Sequence, residues 1–223
     1  MIEVRDLVKS YRRGDEEIVA CQVTALDVAK GEQVALVGKS GLGKTTLLNL
    51  ISGIVRPTTG TIRVAGTELS VLSESSRDRF RGRHIGIVFQ TFNLLMPFTA
   101  LENVLMAAVF GGQHGADSAA EERAVSLLQR VGLGDRLSHR PNELSVGQVQ
   151  RVALCRALIN GPDLILADEP LGNQDRETGG EVLNMLCEIA AEENRTIVMV
   201  THDPESAKHM HRTIDLADLR MAS

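Results

Sequence analysis

The segment GKSGLGKT, at residues 38–45, constrains the fold of this chain more than any other stretch. It has the spacing G-x-x-x-x-G-K-[ST], it follows the apolar run 33–37, and it opens a helical pattern that reaches Leu50. Glycines let backbone N–H groups turn inward around phosphate oxygens, and the N-terminus of the next helix adds about half a positive charge. Lys44 then suits the β- and γ-phosphates, and Thr45 suits Mg²⁺. The segment therefore predicts an α/β domain that binds a nucleotide.

Length and composition agree with one large α/β domain that carries a small subdomain. The chain has 223 residues, of which 43% are hydrophobic and 24% charged, so it can bury a substantial core. Its net charge of -5 means that the surface as a whole does not attract nucleic acid or anionic lipid. Residues 1–17 lack the apolar core of a signal peptide, and the longest apolar run, 104–112, is too short to span a bilayer. Three widely spaced cysteines are expected to be small core residues in a reducing compartment.

Four nearly continuous apolar runs predict the strands of a parallel sheet. They are QVALVG, IGIVFQ, LILADE and TIVMVTHD, and each ends in polar residues. Shorter alternating runs in 1–36 and 60–66 predict antiparallel strands. Between the second and third runs lies a helical pattern whose start we assign to a capping box at Ser118 and Glu121. The expected architecture is a parallel core with an antiparallel lobe and an inserted helical subdomain.

Two carboxylates at the end of LILADE supply the second half of the nucleotide site. Ligands of α/β sheets bind at the carboxyl ends of the strands, so Asp168 and Glu169 should face the phosphates. Asp168 is expected to hold Mg²⁺. Glu169, the next residue, should point toward an attacking water as a general base. A turn that caps the following helix is the structural alternative for Asp-Glu-Pro.

The segment LSVGQ, at residues 144–148, separates this chain from other nucleotide hydrolases and kinases. Ser145 and Gln148 form a capping box pattern, which is a complete structural explanation. The same turn also offers a helix N-terminus, a hydroxyl group and Gly147, a combination that can bind an anion. Because the chain already has its own phosphate loop, a second anion site suggests a second molecule.

With these motifs the chain resembles the ATPase subunits of ABC transporters, from about Ile2 to Leu216. LSVGQ is similar to the family's signature LSGGQ. Gln90 matches the Q-loop, Asp175 in EPLGNQD matches the D-loop, and His202 matches the switch histidine. The resemblance implies a P-loop NTPase fold of the ABC ATPase type over 1–223. It divides this domain into a nucleotide-binding core at 1–90 and 161–223 and a helical subdomain at about 91–160.

The resemblance also implies a set of site residues, with ATP and Mg²⁺ as ligands. The catalytic residues would be Glu169, His202 and Gln90, and the metal would be held by Thr45, Gln90 and Asp168. Tyr11 would stack on adenine, although a strand-edge tyrosine would look the same. The remaining ATP-binding positions would be Gly38, Lys39, Ser40, Gly41, Gly43, Lys44, Thr45 and Thr46 from one subunit and Ser145, Gly147, Gln148 and Asp175 from the other.

Partners follow from the same resemblance. Two copies of the chain would clasp ATP head to tail, and a separate membrane permease would receive the movement through Gln90 and the apolar segment after it. Phe92, Leu94, Leu95, Met96 and Phe98 are unusual for a free surface, although they could instead fill the subdomain core. The chain would then be cytoplasmic and peripheral on the inner face of the cell membrane, with no nucleic acid partner.

The segment 83–104 and the short tail after His202 most resemble the LolD/MacB/FtsE branch, which serves lipoprotein release, macrolide-type efflux and cell-division signalling. Four positions depart from the family pattern, all near the expected dimer interface: Val146, Val149, Leu171 and Gln174. Two other functions remain as alternatives. One is an ABC-type ATPase that acts on nucleic acid or ribosomes, which the acidic balance disfavours, and the other is a small-molecule kinase, which would need an acceptor pocket and a lid.

Overall fold

The computed structural model describes residues 1–14, 16–39, 41–111, 117–171 and 176–220. The strands are β1 (Ile2–Arg13), β2 (Glu16–Val28), β3 (Gln33–Val37), β4 (Thr59–Val64), β5 (Thr67–Glu68), β6 (Ile85–Val88), β7 (Leu164–Asp168), β8 (Thr196–Val200) and β9 (Arg212–Asp215). The helices are α1 (Lys44–Ile51), α2 (Glu74–His84), α3 (Ala100–Gly111), α4 (Ser118–Arg130), α5 (Val146–Leu158), α6 (Arg176–Glu192) and α7 (Pro204–Ala207), with a 3₁₀ turn at Pro141–Glu143. None of the described helices is long and apolar enough to cross a bilayer.

A parallel sheet with the strand order β6-β7-β8-β3-β9 forms the centre of the molecule. The four apolar runs are confirmed as β3, β6, β7 and β8. The sequence did not predict β9, because its residues RTID are mostly exposed and carry no apolar run. Since the strands are parallel, the polar residues that follow β3, β6, β7 and β8 lie at one edge of the sheet.

Both faces of this sheet are buried, which explains why its strands read as continuous apolar runs. In β7, Leu164 and Leu166 pack against the core that contains α1 and the antiparallel strands, whereas Ile165 and Ala167 pack against the core that contains α3, α4 and α5. All four residues are at most 1% exposed. Alternate residues of β3, β7 and β8 thus join two hydrophobic cores through one sheet.

An antiparallel sheet with the order β2-β1-β4-β5 covers one core. The antiparallel pairing was predicted, but β1 and β2 are longer than the short alternating runs suggested. They pair from Ile2 opposite Val28 to Arg13 opposite Glu16, and one register shift lies between Lys9 and Ser10. Because Lys9 pairs with Cys21 and Ser10 with Val19, β2 has one extra residue, Ala20, at the shift, as in a β-bulge.

Helices α3, α4 and α5 pack together on the other face of the parallel sheet. The capping box assigned to Ser118 and Glu121 was wrong. The side chain of Asp117 caps α4, since its Oδ1 accepts a hydrogen bond from the Ala120 N–H at 2.9 Å. A carboxylate one residue earlier satisfies the free N–H groups, so Ser118 becomes the first helical residue.

The cysteines pack as small side chains, as the sequence predicted for them. Cys21 and Cys155 are fully buried and Cys187 is half-buried, and none forms a disulfide. Burial raises the pKa of Cys21 to about 11 and that of Cys155 to about 12. These thiols stay protonated at neutral pH, which suits packing and not nucleophilic chemistry.

Gly86 permits a close approach between β6 and α5. A Cβ atom at this position would lie 2.2 Å from the carbonyl oxygen of Ala157 and 3.1 Å from the Pro162 ring. The backbone of α5 therefore rests directly on the strand. This contact fixes the height of α5 above the sheet, and with it the position of the LSVGQ turn at the start of that helix.

We expect Gly86→Ala to destabilise the protein by about 1–3 kcal/mol, because the added methyl group must push α5 away from β6. Gly180→Ala is the matched control. Among the described residues, no atom outside the helix's own backbone and the two chain neighbours lies within 4 Å of a Cβ at this helical position, so the change should be neutral or stabilising by up to about 1 kcal/mol. Thermal unfolding of both variants measures the difference. Equal midpoints for Gly86→Ala and the parent would contradict the close contact.

Candidate active site

The loop at residues 38–45 curves between β3 and α1, next to the antiparallel sheet. Gly43 caps α1 with φ 90°, a left-handed conformation that favours glycine. A Cβ at Gly43 would lie 2.3 Å from the Ala20 carbonyl oxygen and 3.2 Å from the Cys21 Cα. The glycine therefore lets β2 lie directly against the loop.

Lys44 is the charged residue of this loop that the fold encloses. Lys44 is only 8% exposed. Its Nζ donates to the carbonyl oxygens of Gly38 at 2.8 Å and Lys39 at 3.3 Å. The ammonium group thus lies inside the curve of the loop, beside the N-terminus of α1. Two sources of positive potential face the same concave surface, which suits a phosphate group.

Thr45 and Asp168 connect the start of α1 with the end of β7. The Thr45 hydroxyl donates to Asp168 Oδ1 at 3.2 Å. Burial raises the pKa of Asp168, and the nearby charge of Glu169 adds to this effect, whereas the Thr45 hydrogen bond and Lys44 oppose it. The carboxylate is therefore held in a partly desolvated place where a cation would compensate it.

The donor set fits a magnesium ion that is shared with a phosphate ligand. Hydroxyl and carboxylate oxygens are the groups that Mg²⁺ takes from proteins, usually one or two beside substrate phosphates and water. Within the described ranges, no cluster of three or more His, Cys, Asp or Glu residues could hold a metal without such a ligand. Thr45 and Asp168 together place two protein oxygens side by side for such a site.

Glu169 lies between two polar residues from neighbouring loops. Gln90, after β6, donates from Nε2 to Glu169 Oε2 at 3.3 Å, and His202 Nδ1, after β8, lies 2.9 Å from Glu169 Oε1. Glu169 is largely shielded, with a side chain 21% exposed, whereas that of His202 is 66% exposed. The three side chains come from the ends of three adjacent strands, as the parallel topology requires.

The LSVGQ turn forms the capping box that the sequence predicted. Ser145 Oγ accepts from the Gln148 N–H at 3.3 Å, and Gln148 Oε1 accepts from the Ser145 N–H at 2.9 Å. Ser145 is exposed, and Val146 is 61% exposed. No hydrogen bond or ion pair among the described residues joins this turn to residues 38–45 of the same chain. The turn therefore presents a helix N-terminus to solvent.

Other predicted site residues are placed as follows. Tyr11 is 49% exposed on β1, opposite Ile18, and the Lys9 ammonium lies 4.8 Å from its ring centroid. Thr46 is half-buried in the first turn of α1. Ser40 and Asp175, and also the departure at Gln174, lie outside the described residues.

The segment after Gln90 presents apolar side chains to solvent. Leu95, Met96 and Phe98 are 43%, 56% and 36% exposed, whereas Leu94 packs against the helical core and Phe92 is half-buried. Asn103, which is buried, holds this segment through hydrogen bonds to the backbone of Leu95 and to the Phe98 carbonyl. Core filling therefore explains only part of the apolar run.

A groove next to this segment was not foreseen from the sequence. It has a volume of about 700 Å³ and lies between α2, α3 and the loop after β6, where Ile54, Leu95, Met106 and Phe110 line it. The only signal in the sequence was the apolar character of 92–98. The facing residues of α2 are separated from that segment along the chain, so only folding shows that they share a surface.

Comparison with known proteins agrees with this geometry. The family model described as ABC transporter matches residues 21–172, about two thirds of the chain. The lipoprotein-releasing system ATP-binding protein LolD of Chromohalobacter salexigens is 43% identical over 222 residues, which cover 100% of this chain and 93% of that protein. The macrolide export ATP-binding/permease protein MacB of Syntrophobacter fumaroxidans is 44% identical over 98% of this chain, which spans only 30% of that longer protein.

Among solved structures, the dimeric post-hydrolysis state of the ATP-binding cassette MJ0796, bound to ADP and Pi, superposes with a TM-score of 0.88 at 36% identity. The alignment covers 96% of this chain and 94% of that one. The parallel sheet with its antiparallel companion is thus the ABC ATPase fold. The chain belongs to the ABC transporter family, as an ATP-binding and ATP-hydrolysing cassette similar to those of LolD and MacB.

Proposed function

We propose that two copies of this chain close around two ATP molecules and use their hydrolysis to drive a separate membrane permease. The observation that carries this proposal is the position of Glu169. It lies between Gln90 and His202 and directly follows Asp168, which is bonded to Thr45. A shielded carboxylate next to a phosphate loop is what a hydrolytic general base requires.

The residues of one chain divide the chemistry among them. Lys44 and the backbone of the loop bind the phosphates. Thr45, Asp168 and Gln90 would hold Mg²⁺, which would supply positive charge to the phosphate oxygens. Glu169 accepts the proton of the attacking water. His202 orients the Glu169 carboxylate through its Nδ1 contact, and Tyr11 stacks on the adenine ring.

The second chain contributes the other half of each site. Ser145, Gly147 and Gln148 lie at an exposed helix N-terminus that has no bonded partner among the described residues of its own phosphate loop, so the turn is free to bind the phosphates held by a partner copy. Asp175 is proposed to act at the same interface. The dimeric state of the related cassette, which contains ADP and Pi, supports this arrangement.

The permease is proposed to dock on the exposed apolar segment 95–98 and in the adjoining groove. Residues 91–160 would move as a helical subdomain against 1–90 and 161–223, because Gln90 joins the two parts and contacts Glu169 directly. The chain would then lie at the inner face of the cell membrane. By similarity to LolD and MacB, the process served is lipoprotein release, efflux or a related transfer of mechanical work.

Glu169→Gln tests the general base. Glutamine keeps the size of the side chain but cannot accept a proton at neutral pH, so we expect ATP turnover to fall by on the order of a hundred- to ten-thousand-fold while ATP binding persists. ATP should remain in the protein, and the dimer should accumulate. Steady-state phosphate release and nucleotide content of the purified protein measure both effects.

Asp168→Asn is its control, because it removes the charge directed at the metal. It should weaken binding of Mg²⁺-ATP itself and give no trapped dimer. A Glu169→Gln protein that hydrolyses ATP near the parent rate, in a preparation free of other ATPases, would show that the base lies elsewhere.

Ser145→Arg tests the shared site. The larger cation should disrupt the partner's nucleotide and leave the variant's own phosphate loop intact, so ATP binding to the monomer should stay within about twofold of the parent while turnover is lost. In sedimentation, the Glu169→Gln protein should dimerise with ATP and the double variant should not. Loss of ATP binding in the isolated Ser145→Arg monomer would mean that the turn serves its own subunit.

Met96→Asp tests the permease surface. A charge in the middle of the exposed apolar segment should weaken co-purification with the membrane partner by about tenfold or more, while ATP hydrolysis by the isolated cassette stays near the parent value. Ser126→Asp places the same charge on the exposed face of α4, outside the proposed surface, and should not change either quantity. Equal recovery of the partner with Met96→Asp and the parent would place the docking surface elsewhere.

A further inference from the structure

The side chain of Gln150 is buried in the core, and only one of its two polar atoms has a hydrogen-bond partner among the described residues. It lies on α5 and is 1% exposed. Its Nε2 donates to the carbonyl oxygen of Pro170 at 2.5 Å, whereas its Oε1 has no hydrogen-bond partner among the described residues. Half-satisfied buried amides are destabilising compared with an apolar side chain of the same shape. A polar residue at this place therefore points to a role other than packing.

The carbonyl that Gln150 holds belongs to the residue directly after Glu169. Glu169 has φ 43°, in the left-handed region, and it precedes a proline. Both features are unfavourable, since few side-chain-bearing residues adopt positive φ and a following proline favours extended backbone. Such a conformation persists only where surrounding contacts enforce it.

Two hydrogen bonds hold the backbone on either side of this strained residue. On one side the Glu169 N–H donates to the Val200 carbonyl of β8 at 2.9 Å. On the other side Gln150 holds the Pro170 carbonyl. The first bond comes from the sheet, as any strand at this position would provide. The second comes from a side chain of α5.

We propose that Gln150 is a positioning residue for Glu169. By holding the Pro170 carbonyl it restrains the backbone after Glu169 and keeps the carboxylate between Gln90 and His202, where the attacking water must be activated. Gln150 also lies in the helix that Ser145 caps, so the turn that binds the partner's ATP and the base of its own site are joined through one short helix. This assignment rests on the proposed ATP hydrolysis.

Gln150→Met is the test variant. Methionine has the same length and an unbranched shape, but it cannot donate to Pro170, and it removes the unpaired Oε1 as well. We expect kcat for ATP to fall on the order of ten- to a hundredfold, because small displacements of a catalytic group have effects of this size. KM for ATP should change less than about twofold, because Gln150 makes no hydrogen bond to the described residues of the phosphate loop.

Gln33→Met is the matched control. Gln33 is also a buried amide, 3% exposed, and its Nε2 donates to one backbone carbonyl, that of Cys187 at 3.0 Å. Its partner lies on α6, away from Glu169. This variant should keep the parent kcat. Thermal midpoints for both variants show whether loss of one buried hydrogen bond has the same effect on stability at the two places.

Amide hydrogen exchange on the ATP-free protein gives a readout that does not depend on hydrolysis. Gln150→Met should increase exchange in the peptide that covers residues 166–171, and Gln33→Met should not. Faster exchange there together with a lower kcat and an unchanged KM supports the assignment.

Parent-like exchange at 166–171 in Gln150→Met would overturn the assignment, and so would a parent-like kcat in that variant. If the parent itself hydrolysed no ATP, the proposed function would be wrong, and the exchange measurement would still decide whether Gln150 holds the segment.

Discussion

The parallel pairing of β6, β7, β8 and β3 is the constraint on which the rest of the structure depends. Because these strands run in the same direction, whatever follows each of them arrives at one edge of the sheet. The phosphate loop follows β3, Gln90 follows β6, Asp168 and Glu169 close β7, and His202 follows β8. Residues separated by more than a hundred positions along the chain, such as Thr45 and Asp168, therefore meet within hydrogen-bonding distance. The parallel pairing of the strands is enough to bring them together.

The hydrophobic cores on the two faces of that sheet connect the edge to the rest of the molecule. On one face, the antiparallel strands press against the phosphate loop, where Gly43 leaves room for the Ala20 carbonyl. On the other face, α5 rests on β6 at Gly86 and reaches Pro170 through Gln150. Each layer thus contacts one half of the site: the antiparallel sheet supports the loop at residues 38–45, and the helical layer supports the backbone next to Glu169.

Electrostatics at the site follow from this arrangement. Lys44 is enclosed by carbonyl oxygens, and Asp168 is partly desolvated beside Glu169, so its pKa is raised. Two carboxylates next to each other in a half-buried place repel one another, and a divalent cation with a phosphate ligand relieves that repulsion. The same burial that is unfavourable for two neighbouring carboxylates without a counter-ion would therefore favour the binding of a divalent cation beside them.

The sequence by itself determined the local chemistry. The spacing of residues 38–45 predicted the loop and α1, continuous apolar runs predicted four parallel strands, and Ser145 with Gln148 predicted the start of α5, because each of these signals is contained within a few neighbouring residues. It did not determine β9, whose exposed residues carry no periodic signal, or the cap of α4, where Asp117 and Ser118 compete for the same N–H groups.

Only the tertiary structure decided the contacts between distant segments. The left-handed backbone at Glu169, the hydrogen bond from Gln150 to Pro170 and the groove between α2 and residues 92–98 all depend on which elements pack together. From the sequence alone, a glutamine in a helical pattern such as Gln150 is expected to be exposed, and only the packing of α5 shows that it is buried. The physical reason is that burial and strain are properties of the folded packing, and no single stretch of the chain carries them.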